Sequence, residues 1–141
     1  KPSLCTKYGR LYFYDAAQNA CPAGWRLPRR EEYVILSDAA SIIYSNVDSG
    51  SPLRATKGWG NKKSQNGTDD FGFSALPGGS FNKSRFTFHE WQASGVGENA
   101  YYWTADGFFD INAGNMNVWT GSTIKIFGGE GMFSIRCVQD Y

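Results

Sequence analysis

Asn66-Gly67-Thr68-Asp69-Asp70-Phe71-Gly72 sets two adjacent carboxylates, an amide oxygen and several turn carbonyls within one short stretch. Oxygen donors of this kind suit a hard cation, so Asp69 and Asp70 are candidate calcium ligands. The competing reading is an Asx-type turn, with the aspartates satisfying loop backbone and Phe71 and Phe73 buried. The turn is the preferred reading, and no cofactor is expected. His89-Glu90 is the one place for imidazole general-base chemistry. A single histidine with no nucleophile motif around it reads as a loop hydrogen-bonding residue, so no catalytic residue is expected and the chain is not read as an enzyme. Trp59, Trp91, Tyr101 and Trp119 are the candidate ligand-binding residues. Aromatic faces bury large area at low entropic cost, which suits sugar rings and protein surfaces alike. Trp25 and Trp103 are assigned to the core instead. Asn66-Gly67-Thr68 and Asn82-Lys83-Ser84 match the N-glycosylation acceptor pattern, a three-residue match that by itself carries no functional argument.

Three cysteines leave one over. Cys21 follows a short helical stretch and Cys137 lies in the last strand-like run, which suggests a bridge joining the two ends of the chain. A loop of 116 residues closed in this way contributes about 4–5 kcal/mol in the chain-entropy picture. Cys5–Cys21 is the competing pairing. If Cys21 pairs with Cys137, Cys5 bonds outside this chain, bonds a second molecule, or stays a free thiol. A bridge points to an oxidising compartment.

These residues need a scaffold. The chain has 141 residues, enough for one domain, 1–141, with a real core. Aromatics make up 16% and there are 17 glycines, a pairing that predicts short strands and tight turns rather than a helical bundle. The net charge of +1 gives no electrostatic reason to bind nucleic acid or an anionic membrane. No stretch approaches the roughly 20 apolar residues of a spanning helix, so no membrane insertion is expected. The N-terminus lacks the apolar region of a signal peptide and reads as a trimmed or mature start.

Along the chain, Tyr8–Tyr14 alternates and predicts a strand. Asp15 is expected to cap a short helix running to Ala20. Pro28 opens a second helix from Arg29 to about Ile43, with Glu31 and Glu32 suiting its dipole. Tyr33, Leu36, Ala40 and Ile43 form its core face. From Ser45 to about Gly97 the pattern dissolves into Gly, Ser, Asn, Asp and Lys punctuated by aromatics. Disordered segments are poor in aromatics, so this reads as a long ordered loop region pinned by its rings. Strand-like runs return at Tyr101–Ala105, Met116–Trp119, Thr123–Phe127 and Phe133–Val138, separated by glycines, and predict a small antiparallel meander.

Five blocks in order carry a resemblance: Tyr8-Gly9-Arg10-Leu11-Tyr12, Ala20-Cys21-Pro22-Ala23-Gly24-Trp25-Arg26-Leu27-Pro28, Gly67 to Gly79, Tyr102-Trp103-Thr104-Ala105, and Arg136-Cys137-Val138-Gln139-Asp140. Together they resemble the Fibrobacter succinogenes major paralogous domain over about residues 8–140. That family comprises exported bacterial surface proteins and lipoproteins. More distantly, the layout is similar to the C-type lectin fold and its formylglycine-generating-enzyme-like branch. This resemblance implies an α+β, C-type lectin-like fold with two short helices, a small antiparallel sheet, a long ordered loop region and termini close together. It implies that the first-helix cysteine pairs with the last-strand cysteine, in favour of Cys21–Cys137, and that Tyr102-Trp103 lies on a central strand. The calcium-dependent sugar motifs of such lectins and the paired copper-binding cysteines of the enzyme branch are both missing from the sequence.

There are two departures. Family members often carry Thr or Ser after Leu-Pro; Arg29 stands there, so the capping box with Glu32 is expected to be lost. They also often carry a further cysteine upstream of Cys5. The expected function is a non-catalytic binding module, secreted or on the outer-membrane exterior, presenting the 45–97 loops and the 106–131 hairpins to a glycan or a surface protein. The alternative is a structural subunit of a surface appendage or outer layer, cross-linked through Cys5. A formylglycine-generating-type enzyme ranks third.

Overall fold

The computed structural model describes residues 2–43, 48–83, 91–112, 114–120 and 131–140. The fold is α+β, with three helices and small antiparallel sheets among the described residues. The N-terminal stretch is α1 (Pro2–Tyr8), followed by β1 (Tyr12–Phe13), α2 (Tyr14–Ala17) and β2 (Trp25–Arg26). The predicted strand over Tyr8–Tyr14 is therefore corrected to two residues. Gly9 explains the break: with φ 82° it sits in the left-handed region, and its N–H donates to Cys5 O at 3.0 Å, closing α1. Asp15 is not a cap either. It lies inside the first turn of α2, whose N-cap is Phe13 with no side-chain bond.

The second predicted helix is α3 (Arg30–Ile43). Tyr33 and Ala40 are buried on its inner face, and Leu36 packs beside them; the Ile43 side chain lies outside the described residues. The capping box is not wholly lost. Glu32 Oε2 accepts the Arg29 N–H at 2.7 Å, and Asp106 Oδ1, from across the fold, accepts the Arg30 N–H at 3.1 Å. Arg29 removes only the hydroxyl half of the box, and a distant aspartate occupies the place of a local cap. Arg26 grips the same Glu32 with Nη1 and Nη2 at 2.7 and 2.9 Å. This guanidinium hydrogen bond outweighs the desolvation opposing it and holds the Glu32 carboxyl down to about 2.

Three further strands form a meander, β5 (Asn99–Trp103), β6 (Gly107–Asn112) and β7 (Met116–Thr120). Tyr102 pairs with Phe109 and Phe109 with Val118. β6 was not predicted, because Gly107 and Asp110 interrupt its apolar run. The packing supplies the reason it forms. β6 is covered on both faces, and consecutive residues serve two different cores. Phe109 and Ile111 face Tyr33, Leu53, Trp59 and Ala75. Phe108 faces Ala17, Leu27 and Trp103. β5 divides in the same way, with Ala100 and Tyr102 in the first core and Trp103 in the second. The Tyr33 ring stacks on Phe109 at 4.4 Å between centroids, and Trp103 lies 4.3 Å from Phe133.

The 45–97 region is not all loop. It holds a hairpin, β3 (Ser80–Lys83) with β4 (Trp91–Ser94), joined through β8 (Met132–Phe133) to β1 in the order β1-β8-β3-β4. At Gly79 the φ of 66° and the close Ser94 backbone exclude a side chain where this hairpin departs. The rest of the loop is pinned by Arg54, which is fully buried. Its Nη1 and Nη2 meet Asp48 at 2.6 and 2.5 Å, Nε reaches Gln65 O at 3.1 Å, and Nη1 reaches Asn112 O at 3.0 Å. One guanidinium thus ties three loop segments to the end of β6. The predicted strand at Thr123–Phe127 lies outside the described residues.

β9 (Val138–Gln139) pairs antiparallel with β2, Trp25 opposite Gln139. With β1 on β8, the first and last parts of the chain run side by side. The bridge Cys21–Cys137 closes this arrangement, with S–S 2.04 Å and Cα–Cα 5.8 Å. Trp25, expected in the core, is 46% exposed, because β2 is an edge of a two-stranded pair. Trp103 is buried as expected, and its Nε1 donates to Tyr12 O at 2.6 Å.

Candidate functional site

Where the N-terminal segment crosses the last one, a cleft of about 200 Å³ opens to the surface. Tyr8, Arg10 and Tyr12 form one wall, delivered by the end of α1 and the start of β1. Ser134 and Arg136 form the facing wall, in the segment between β8 and β9, and Leu76 and Tyr102 contribute between them. Ser134 is fixed against β5 by two backbone bonds, Trp103 N–H to Ser134 O at 2.9 Å and Ser134 N–H to Tyr101 O at 3.0 Å. Cys137 is the next residue but two, so the disulfide anchors this wall directly. The cleft is therefore made of short, irregular segments held by strands and a covalent bridge, an arrangement that keeps a loop site rigid.

Arg136 dominates its chemistry. The guanidinium lies over the Phe73 ring at 4.3 Å, and Nη1 donates to Phe73 O. Its other N–H groups have no hydrogen-bond partner among the described residues, and neither Arg10 nor Arg136 is paired with a carboxylate there. Tyr102 is buried, and burial pushes its hydroxyl above the ordinary tyrosine range, so it stays a neutral donor. Beneath lies Tyr33, whose hydroxyl is buried without a partner among the described residues and feels both Tyr102 and Arg136. The cleft thus offers unpaired cationic donors, tyrosine rings and hydroxyls, and no acidic side chain lines it.

The residues singled out from sequence are scattered. Trp59 is 2% exposed, with Nε1 donating to Ala75 O at 2.9 Å. It is a core residue and presents no face to a ligand. Tyr101 is half-buried and stacked on Phe133 at 5.0 Å, in the second core. The Trp91 and Trp119 backbones belong to β4 and β7, but their side chains lie outside the described residues, as do His89 and Glu90. Asp69 and Asp70 hold a turn. Asp69 Oδ1 accepts the Ser74 N–H at 2.6 Å and its other oxygen accepts the Ser74 hydroxyl, while Asp70 accepts the Thr68 hydroxyl at 2.6 Å. Asp69 and Ser74 take positive φ of 55° and 50°, which these bonds sustain. Phe71, expected beneath this turn, is 41% exposed; Phe73 alone packs inward. Among the described residues no group of three or more His, Cys, Asp or Glu is placed to hold a metal. Cys5 is an exposed free thiol on α1. No described helix is long and apolar enough to cross a membrane.

The cleft residues were not predicted as a site. Tyr8, Arg10 and Arg136 do stand inside the first and last of the five sequence blocks, which was the available signal. Their contact depends on the pairing of chain ends that no local pattern encodes. No curated protein and no solved structure matches this chain. Residues 1–139 match the Fibrobacter succinogenes major domain, and the chain belongs to that bacterial domain family.

Proposed function

We propose that the chain is a non-catalytic binding module displayed outside the cell, on a C-type lectin-like scaffold, and that it meets a glycan or a surface protein at the cleft between its two ends. The cleft carries this reading: an open, preformed concavity with ring faces and unpaired donors, built on covalently tied segments. The lectin-like layout is supported by an early helical segment bridged to the segment before the last strand, with a long excursion between. Display in an oxidising exterior is supported by the pairing of Cys21 with Cys137. The recognition surface on this reading is at the joined ends rather than on the 45–97 loops; of the loop candidates, Trp59 is buried. The intact protein is expected to be retained on a broad glycan array or by native bacterial or host surfaces. Blank results on both would overturn the proposal.

A further inference from the structure

We infer that the cleft selects a carboxylated sugar, its carboxylate received by Arg136 with Arg10 at the rim, and its ring lying against tyrosine. The inference rests on the binding-module reading and deepens it. Guanidinium presents five N–H donors in a planar fork that matches a carboxylate in bidentate fashion. In Arg136 one of these donors is spent on Phe73 O, which fixes the plane of the group, and stacking on Phe73 fixes it further. The remaining edge has no protein partner among the described residues. Elsewhere in the fold the arginines with structural work are paired: Arg26 with Glu32 and Asp140, Arg54 with Asp48. A half-buried guanidinium held in a fixed plane by Phe73, with its other edge directed at no carboxylate among the described residues, has the geometry to receive one in bidentate fashion.

The remaining lining decides between anions. Tyr8 and Tyr12 bring aromatic surface, although Lys7 Nζ lies over the Tyr8 ring at 4.8 Å and Tyr12 also packs on the second core; Leu76 brings an apolar edge, Ser134 and Tyr102 bring hydroxyls, and the Ser74 hydroxyl is donated to Asp69. A bare inorganic anion would use none of the ring surface. A saccharide uses both, apolar ring face on tyrosine and hydroxyls on hydroxyls. The volume of about 200 Å³ lies below the roughly 300–1,000 Å³ of drug-sized pockets, so it suits a single ring rather than a folded peptide segment. With no acidic residue in the lining, a carboxylated ring is favoured over an amino sugar, whose ammonium would face two guanidinium groups.

The test titrates the intact, disulfide-bonded protein with a panel of uronate and sialate oligosaccharides, each beside its carboxyl-reduced form. At least one acidic member is expected to bind at least tenfold more tightly than its reduced counterpart, with affinity falling as salt rises. Arg10→Gln alters an exposed side chain with no ion-pair partner among the described residues, so it is expected to keep the melting temperature and weaken binding several-fold. Arg136→Gln is expected to abolish binding; Arg136→Lys, which keeps the charge without the fork, is expected to recover only part of it. Equal affinity for acidic and reduced forms would overturn the inference while leaving the binding module standing. So would acidic binding untouched by both Arg10→Gln and Arg136→Gln. Failure of every sugar on the panel, with a protein partner captured instead, would overturn the inference and leave the protein-binding arm of the proposed function.

Discussion

Replacing both Cys21 and Cys137 by serine is expected to lower stability by about 4–5 kcal/mol, or roughly 10–20 °C in melting temperature. The magnitude follows from the length of the closed loop, 116 residues, since cross-linking distant points removes the most freedom from the unfolded chain. The native fold offers little to substitute for the bridge. β2 and β9 pair through two residues each, and β1 and β8 likewise. Such short ladders cannot repay the entropy of bringing the chain ends together without help. Thermal melts of the double variant beside the parent, under non-reducing conditions, measure the effect. A melting temperature within a degree or two of the parent would show that strand pairing alone holds the ends, and would remove the covalent basis of the cleft.

Asp48→Ala is expected to cost about 3–5 kcal/mol, among the largest effects of any single substitution in the 48–79 segment. Arg54 is fully buried, and Asp48 supplies both oxygens of its bidentate partner. Removing the carboxylate leaves a guanidinium in the interior with, among the described residues, the Gln65 and Asn112 carbonyls and the Trp59 ring. That is an uncompensated buried charge, which is far worse than the loss of a pair. Asp48→Asn keeps an acceptor and is expected to lose less. The equally well-formed Arg26–Glu32 pair gives the contrast. Both of its side chains are about a third exposed, so water screens it, and Glu32→Gln is expected to matter far less than Asp48→Ala. Urea unfolding of the three variants tests the ranking. If Asp48→Ala were as mild as Glu32→Gln, the loop would be held by its aromatics rather than by Arg54.

The legible parts of this chain were those with a local signature. The α3 pattern of Tyr33, Leu36 and Ala40 repeats at helical spacing, and its predicted start at Arg29 lies one residue from the observed one. The cysteine pairing followed from chain position and resemblance. The illegible parts were made by tertiary contact. β6 reads as broken because Gly107 and Asp110 interrupt its apolar run, and only the packing of its two phenylalanines into different cores makes it a strand. Arg54 reads as one more loop cation until Asp48, Gln65 and Asn112 converge on it. Trp59 stands among glycines and polar residues as a candidate ligand-binding ring, yet the loop folds over it. Trp25 looked like core and lies on an edge. The cleft suffers most, since Tyr8 and Arg136 are brought together only by the closing of the fold.

The central claim is that a partner is met at the joined ends. Backbone amide shifts, recorded while the isotope-labelled protein is titrated with a glycan retained on the array, test it most directly. The account predicts perturbations clustered at Tyr8–Tyr12, Ser74–Leu76 and Ser134–Arg136. Perturbations confined to β4 and β7, with the cleft amides unmoved, would contradict it.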